Sequence, residues 1–247
     1  MNQVITITFG DCAENHTGME QLGKLRDKGF SLKEMNKFKK HFDKKYKTKL
    51  YDLTKLVKED VDYASILVVK DFLKKGQNKL HKELTSHSWD TKYYDVRRGK
   101  VLNKHARANV CYGDQYQKAD FENKKGTIIA WDSVPRLHKI KKKLEKLTKC
   151  NLQAEGNFYT DGGIKKTGIG YHGDTERRIV IAIRTGNNTM PLHYQWYHQS
   201  KRIGENFQVD IEPGDLYIMS EKAVGTDWKK RSLYTLRHST GAAKYTK

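Results

Sequence analysis

The chain has 247 residues, which fits one large domain or a domain with an appendage. It is 36% hydrophobic, enough for a core of ordinary size, and no apolar run approaches the roughly 18 residues that a membrane span needs. The net charge of +19 attracts polyanions, of which nucleic acid is the commonest, although a need for solubility or lysine-biased coding gives the same composition.

The N-terminal segment MNQVITITFG alternates like a β-strand. It lacks the basic start and long apolar middle of a signal peptide. Three widely spaced cysteines, Cys12, Cys111 and Cys150, argue against a disulfide framework because their number is odd. These features predict a reducing, intracellular compartment and do not separate nucleus from cytoplasm.

Basic helices are predicted in the first half of the chain. Residues 19–47 carry apolar side chains at mostly three-to-four spacing with lysines between them. Ser31 and Glu34 form a capping-box pattern that divides this segment into two helices. Further helices are predicted over 71–87 and 135–149 from the same periodicity.

After Cys150 the sequence changes to short β-rich runs separated by Gly, Asn and Asp. Seven runs follow: NLQAEGNFY, GIGYH, RRIVIAIRT, PLHYQWYH, NFQVDI, DLYIM and SLYTLRH. Closely spaced strands of this kind predict an antiparallel sandwich or barrel. We expect the earlier helices to cover one of its sheets.

A His-x-Asp pair, His172 and Asp174, stands just ahead of the apolar run RRIVIAIRT. Residues i and i+2 of a strand project to the same side, so the pair can supply two ligands to one metal ion. Two histidines and one carboxylate suit non-haem Fe(II), because they leave three positions open. An isolated His-x-Asp is more often a polar turn, so its sequence context decides its interpretation.

That context is an ordered series of short motifs. The series is "ARANVCYGD" at 106–114, "VPRLHKIKKKLEKLTKC" leading into Asn157-x-Tyr159, His172-x-Asp174-x-Glu176, Gly214-Asp215, and Arg231-x5-Arg237. Their order over residues 65–247 resembles the AlkB-like branch of the 2-oxoglutarate- and Fe(II)-dependent dioxygenases. The resemblance implies an α+β fold with a double-stranded β-helix (jelly-roll) core and supporting helices. Residues 1–64 then form an N-terminal strand and a basic helical extension.

The resemblance also implies roles for individual residues. His172 and Asp174 are expected as iron ligands, and Asn157 and Tyr159 as hydrogen-bond partners of 2-oxoglutarate. Two further residues, Arg231 and Arg237, are expected to meet its carboxylates, because a guanidinium matches a carboxylate bidentately. Period-two spacing predicts that both arginines face into the barrel. The alternatives are a strand-end turn with a core aromatic for the Asn-x-Tyr pair and a solvated edge strand for the arginines.

The third metal ligand departs from the family pattern, in which a histidine precedes the two arginines. The matching stretch, SEKAVGTDWKKR, contains no histidine. Three outcomes stay open. His238 turns inward at a kink before Gly241, or Asp227 or water completes the site, or iron binds poorly and the chain is a binding protein on an enzyme fold.

The implied function is oxidative demethylation or hydroxylation of a base in nucleic acid, with Fe(II) and 2-oxoglutarate as cofactor and cosubstrate. A flipped-out base is required to reach a buried iron. Phosphate contacts are expected from the lysines of the basic helices, although a solvated helix face explains them too. They are Lys37, Lys39, Lys40, Lys44, Lys45, Lys47, Lys141, Lys142 and Lys143. The alternatives are a nucleic-acid-binding or structural protein on a catalytically degenerate fold, and a hydroxylase of a protein or small molecule.

Overall fold

The computed structural model describes residues 2–247, which form an α+β fold with few helices and a large mixed β-sheet. The strands of the first part of the chain are β1 (Val4–Gly10), β2 (Cys12–Glu14), β3 (Gln21–Gly23), β4 (Thr48–Asp52), β5 (Ser65–Val69), β6 (Lys92–Asp95), β7 (Lys100–Asn103), β8 (Ala108–Gly113) and β9 (Ile128–Ala130). Those of the second part are β10 (Gln153–Tyr159), β11 (Gly168–His172), β12 (Ile181–Gly186), β13 (Met190–His198), β14 (Lys201–Ile211), β15 (Leu216–Met219) and β16 (Thr235–Gly241). The α-helices are α1 (Leu32–Phe42), α2 (Gln77–Thr85), α3 (Pro135–Thr148), α4 (Glu221–Val224) and α5 (Ala243–Thr246).

Two sheets determine the architecture. The eight-stranded sheet has the order β4-β5-β15-β12-β1-β10-β8-β9 and is antiparallel except for the pair β8–β9. The four-stranded sheet has the order β11-β16-β13-β14 and is antiparallel throughout. Short hairpins β2–β3 and β6–β7 complete the strand pairing.

The large sheet is buried on both faces, which explains why its neighbouring strands β5 and β15 are nearly continuous apolar runs. On one face, Ile5, Ile7 and Ile183 belong to a core that includes Phe38 of α1 and Leu137 of α3. On the other face, a second core lies against the small sheet. Its members include Val180, Ala182, Trp196 and Leu236. The helices therefore cover the large sheet from outside, as predicted, and the small sheet covers it from the other side.

Most predicted elements form where the sequence pattern indicates, with one clear exception. Ser31 caps α1 and forms the predicted capping box with Glu34. Helices α2 and α3 lie within the predicted segments, and each of the seven β-rich runs contains a strand. The helix predicted over the first part of 19–47 is wrong. Residues 21–23 pair with β2 instead, because Gly23 adopts a positive φ of 88° directly against the backbone of Asp11.

The N-terminal segment is part of the sheet and does not lie beside it. Strand β1 runs between β10 and β12 in the centre of the large sheet, and β4 forms one edge. Strands β1 and β4 of the predicted extension over residues 1–64 thus belong to the same sheet as strands from residues 65–247. The three cysteines are free and buried. Within residues 2–247, no helix is both long and apolar enough to cross a membrane.

Candidate metal centre

Strand pairing brings two histidines together at the edge between the sheets. His172 ends β11 and lies directly opposite His238 of β16, with ring centroids 4.4 Å apart. Asp174 follows two residues later, 3.5 Å from Nε2 of His172 and 3.9 Å from Nε2 of His238. One ligand atom from each of these three residues lies within 4.8 Å of the other two. The cluster has the composition of a two-histidine, one-carboxylate metal site.

The turn between the two sequence-adjacent ligands requires glycine. A Cβ at Gly173 would lie 1.9 Å from the carbonyl oxygen of Gly225, and Gly225 itself has a φ of 74°. The amide of Asp174 donates to the carbonyl of Val224 at 3.0 Å. The segment 172–174 is therefore held against the turn after α4, which fixes the carboxylate close to β16.

Each of the three residues has a partner or an environment that would suit metal binding. Nδ1 of His172 lies 2.7 Å from the carbonyl oxygen of Gly170, a contact that leaves Nε2 facing the cluster. Burial lowers the pKa of His238 well below its ordinary value, with a further contribution from His172, and so favours the neutral ring that a metal requires. Arg177, which is fully buried, lies 3.8 Å from Asp174 and 2.6 Å from Glu155.

A cavity of about 230 Å³ adjoins this cluster between the sheets. Its lining includes both members of the predicted Asn-x-Tyr pair, Asn157 and Tyr159, on β10. Nε of Arg107 donates to Oδ1 of Asn157 at 2.6 Å, and burial raises the pKa of Tyr159. The structure therefore brings the predicted iron ligands and the Asn-x-Tyr pair into one pocket.

Arg184 on β12 is a further member of this pocket that the sequence analysis did not identify. Its side chain is fully buried, and its guanidinium donates to the carbonyls of Met190 and Ile211 and to Oγ1 of Thr6. It also hydrogen-bonds Tyr217. Among residues 2–247 it forms no ion pair with a carboxylate, and burial lowers its pKa. Its hydrogen bonds and the more distant charge of Asp215 offset part of the cost of burial, and an anion bound beside it would offset more.

A signal for Arg184 is present in the sequence. In the run RRIVIAIRT, Val180 and Ala182 face the small sheet, and period-two alternation places Arg184 on the same inward side. A charged residue that shares the buried side of a strand with apolar residues, as Arg184 does, indicates a functional site more strongly than a charged residue near the end of a strand.

The two arginines predicted to meet the cosubstrate, Arg231 and Arg237, are not among the residues that line the pocket. Strand β16 begins at Thr235, so Arg231 precedes it and is exposed. Arg237 lies in β16 on the opposite side from His238, with its guanidinium 4.0 Å from the ring of Tyr197 and 5.3 Å from that of Trp228. Successive strand residues alternate sides, so Arg237 and His238 cannot both face inward.

Of the two side chains considered for the third ligand, His238 is the one that lies beside His172 and Asp174. The chain needs no kink before Gly241, because β16 is continuous from Thr235 and its pairing with β11 places His238 opposite His172. Asp227, the alternative ligand, lies outside the cluster and pairs with Lys222 at 2.8 Å.

The predicted phosphate-contacting lysines fall into different environments. Lys37, Lys45 and Lys143 line a groove between α1 and α3. Lys39 pairs with Asp43 at 2.6 Å, and Lys142 lies 3.8 Å from Glu145. Three others, Lys40, Lys44 and Lys47, are exposed. Lys141 differs from the others, because its ammonium group is buried, pairs with Glu145 at 2.6 Å and lies over the ring of Trp131.

Comparison with known proteins identifies a viral relative along the whole chain. An uncharacterized protein of Acanthamoeba polyphaga mimivirus is 45% identical over 255 aligned residues, which cover 100% of this chain and 99% of the viral protein. The chain belongs to the family of this mimivirus protein. A scan against protein-family models finds no match. The name of the relative describes no activity, so the function is inferred from the pocket itself.

Proposed function

We propose that the protein is an Fe(II)- and 2-oxoglutarate-dependent dioxygenase that acts on nucleic acid. The single observation that carries this proposal is the convergence of His172, Asp174 and His238 at a pocket that also holds the buried guanidinium of Arg184. The three ligands fit Fe(II), and the arginine fits a carboxylate of the cosubstrate. The resemblance to AlkB-like dioxygenases supports the same assignment.

The strand order supports a double-stranded β-helix whose strands are permuted along the chain. Eight strands, β10 to β16 followed by β1, divide between the two sheets. The large sheet contains β10, β12, β15 and β1, and the small sheet contains β11, β13, β14 and β16. A jelly roll contains eight strands in two facing sheets. In this arrangement β16 is the penultimate strand of the fold, where the family carries its third ligand, and β1 takes the place of the last strand.

The permutation accounts for the departure from the family pattern. In the resemblance, the two arginines belong to the strand after the third ligand. Here that position is taken by β1, which contributes Thr6 and Thr8 to the pocket lining. Arg184 lies directly beside it, because Thr6 pairs with Arg184 across the sheet. We assign the carboxylate-binding role to Arg184, with the hydroxyl groups of Thr6 and Tyr217 beside it.

When bound together, Fe(II) and 2-oxoglutarate supply the oxidising chemistry: O2 is consumed, succinate and CO2 are released, and a C–H bond is hydroxylated. The side chains of this protein do the positioning. His172 is oriented by the carbonyl of Gly170, and Asp174 is held by Arg177. Burial keeps His238 neutral.

Nucleic acid is the favoured substrate because of the net charge of +19 and because cationic side chains stand at the pocket. Arg107 and Lys229 both line it, beside Trp228. A target base has to leave its stack to reach such a pocket, where an aromatic side chain can contact it. On an N-methyl group, hydroxylation leads to loss of formaldehyde and restores the unmodified base.

The second candidate function is a nucleic-acid-binding protein on the same fold without the reaction. It is favoured by the position of the lysine groove on the outer, helical side of the large sheet, away from the metal cluster. Such a protein binds nucleic acid whether or not the pocket holds iron.

A turnover assay separates these functions. The protein is purified under argon and given Fe(II) and 2-oxoglutarate, and succinate release is followed with and without methylated and unmethylated oligonucleotides. We expect turnover that oligonucleotide stimulates, that Asp174→Ala abolishes and that the matched control Asp227→Ala retains. Turnover that no oligonucleotide stimulates indicates a protein or small-molecule hydroxylase. No turnover in the wild type, with no metal retained, leaves the binding protein.

A further inference from the structure

A groove of about 790 Å³ lies on the helical side of the large sheet, between α1, the turn before α2, and α3. Seven cationic side chains line it together with His41: Lys37, Lys45, Arg136, Lys139, Lys143, Lys146 and Lys149. No Asp or Glu is among its lining residues. The chain as a whole has 29 acidic residues, so their absence from this groove concentrates its positive field.

The lysines of the groove are free to meet a ligand. Among residues 2–247, none of the six forms an ion pair with a carboxylate, whereas Lys141 on the same helix is buried against Glu145. Arg136 is the one groove cation near an acid, at 4.0 Å from Glu83. The six lysines therefore have no carboxylate partner that a polyanion would need to displace.

The cations on α3 form a row along the helix. Residues 136, 139, 143 and 146 are separated by three or four positions, so they share one face and follow each other at about 4.5–6 Å along the axis. Lys37 and Lys45 stand on the opposite side of the groove. A chain of regularly spaced negative charges fits between these two sides.

The floor of the groove is apolar and aromatic. Tyr46 and Phe72 are half-buried, with ring centroids 5.6 Å apart, and both pack against the buried ring of Phe42. Ile140 and Leu147 of α3 contribute the other side. Aromatic rings between rows of cations are the arrangement that binds single-stranded nucleic acid, because bases stack on rings while phosphates contact the cations.

We propose that this groove binds single-stranded nucleic acid, RNA or DNA, at a site separate from the metal pocket. The proposal shares its partner class with the proposed function but does not depend on catalysis. A groove with recessed rings does not suit a flat lipid surface, which needs protruding apolar side chains. An acidic peptide matches the charge, but only some peptide sequences carry aromatic rings. Every nucleotide, in contrast, has a base that can stack on Tyr46 and Phe72.

The test is fluorescence anisotropy with a labelled 12-nucleotide single strand, as DNA and as RNA. The variant Lys139→Gln/Lys143→Gln/Lys146→Gln removes three cations from the row. The control Lys92→Gln/Lys118→Gln/Lys201→Gln removes three exposed lysines that do not line the groove. We expect the groove variant to bind at least about tenfold more weakly and to lower the salt slope by about 2, at roughly 0.7 per lost phosphate contact. The control should stay within about threefold of wild type.

Stacking has its own pair of variants. Tyr46→Ala should weaken binding by about 5- to 100-fold, the range for loss of one base–aromatic stack, whereas Tyr46→Phe should retain affinity. Thermal melting of each variant shows whether it is folded.

Several results overturn the groove proposal. One is wild-type affinity in the triple variant. Another is that polyglutamate displaces the labelled strand as well as unlabelled oligonucleotide does, while Tyr46→Ala has no effect on binding. A third is that the protein binds phosphatidylserine vesicles but no oligonucleotide. The variant His172→Ala distinguishes failure of the groove proposal from failure of the proposed function. We expect this variant to bind the oligonucleotide with wild-type affinity, even if neither it nor the wild type shows turnover.

Discussion

The metal pocket and the lysine groove are both rich in cationic side chains, but they use charge in opposite ways. In the pocket, Arg177 is buried and paired with carboxylates, whereas Arg184 is buried and, among residues 2–247, has no carboxylate within ion-pair distance. In the groove, the lysines are exposed and unpaired. Buried charges interact strongly and are little screened, whereas exposed charges are screened by salt. The pocket is therefore suited to one small anion, and the groove to a long, flexible one.

The largest effect is expected from substitution of Arg184, the buried cation of the pocket. Arg184→Leu removes the guanidinium that we assign to the cosubstrate carboxylate, and we expect the KM for 2-oxoglutarate to rise at least about 100-fold, as for loss of a buried charged hydrogen bond. Arg184→Lys should recover part of this loss because it restores the charge without the planar set of N–H donors. A KM within threefold of wild type in a folded Arg184→Leu protein would remove the residue from the site.

Salt should separate the two regions almost as clearly. Between 50 and 200 mM NaCl, oligonucleotide binding to the groove should weaken by about 50-fold if four phosphates are contacted at a slope of roughly 0.7 each. Binding of 2-oxoglutarate in the pocket should change by less than about threefold, because its partner is buried. Parallel titrations of both ligands measure the contrast, and equal salt dependence would contradict it.

A smaller effect concerns the acidic cluster near Arg177. Burial, followed by the charges of Glu176 and Glu155, raises the pKa of Glu14 to about 7. A carboxyl group with a raised folded-state pKa favours folding at low pH, and this contribution is lost as pH rises from about 4.5 to about 7. Glu14→Gln should therefore stabilise the protein at pH 8 by about 1–3 kcal/mol and give no gain at pH 4. Denaturant melts at the two pH values test this, and a gain that does not depend on pH would show that the charge is not responsible.

The smallest effect should come from substitution of the two arginines that the family resemblance implies as partners of 2-oxoglutarate. Arg231 is exposed, and Arg237 contacts the rings of Tyr197 and Trp228 away from the pocket. Arg231→Gln and Arg237→Gln should leave the KM for 2-oxoglutarate within about threefold of wild type. Arg237→Gln should cost about 1 kcal/mol of stability through the lost cation–π contacts. A large rise in KM for either variant would restore the family pattern and weaken the assignment of Arg184.

The sequence predicts local features of this fold better than its spatial pairings. The capping box at Ser31, the seven β-rich runs and the His-x-Asp pair all follow from spacing alone. The inward orientation of His238 does not, because it depends on which residue of β11 lies opposite it. Strand β1 likewise reads as a strand, but only the folded chain places it between β10 and β12.

The misplaced arginines have the same origin. Period two predicts which residues share a side of a strand, but not where the strand begins or which side faces inward. Arg231 lies four residues before β16, and His238 takes the inward position that Arg237 was expected to occupy. Arg184 could have been found from the same alternation, because its neighbours Val180 and Ala182 are buried on its side of the strand.

The most direct test of the metal centre is the Fe(II) content of the protein after anaerobic reconstitution and desalting. The wild type should retain about one equivalent, as expected for a single site with three protein ligands. His172→Ala and His238→Ala should lose it. His193→Ala should retain it, because that histidine is equally buried on the neighbouring strand β13 but lies outside the pocket. Full iron retention in a folded His238→Ala protein would contradict the account.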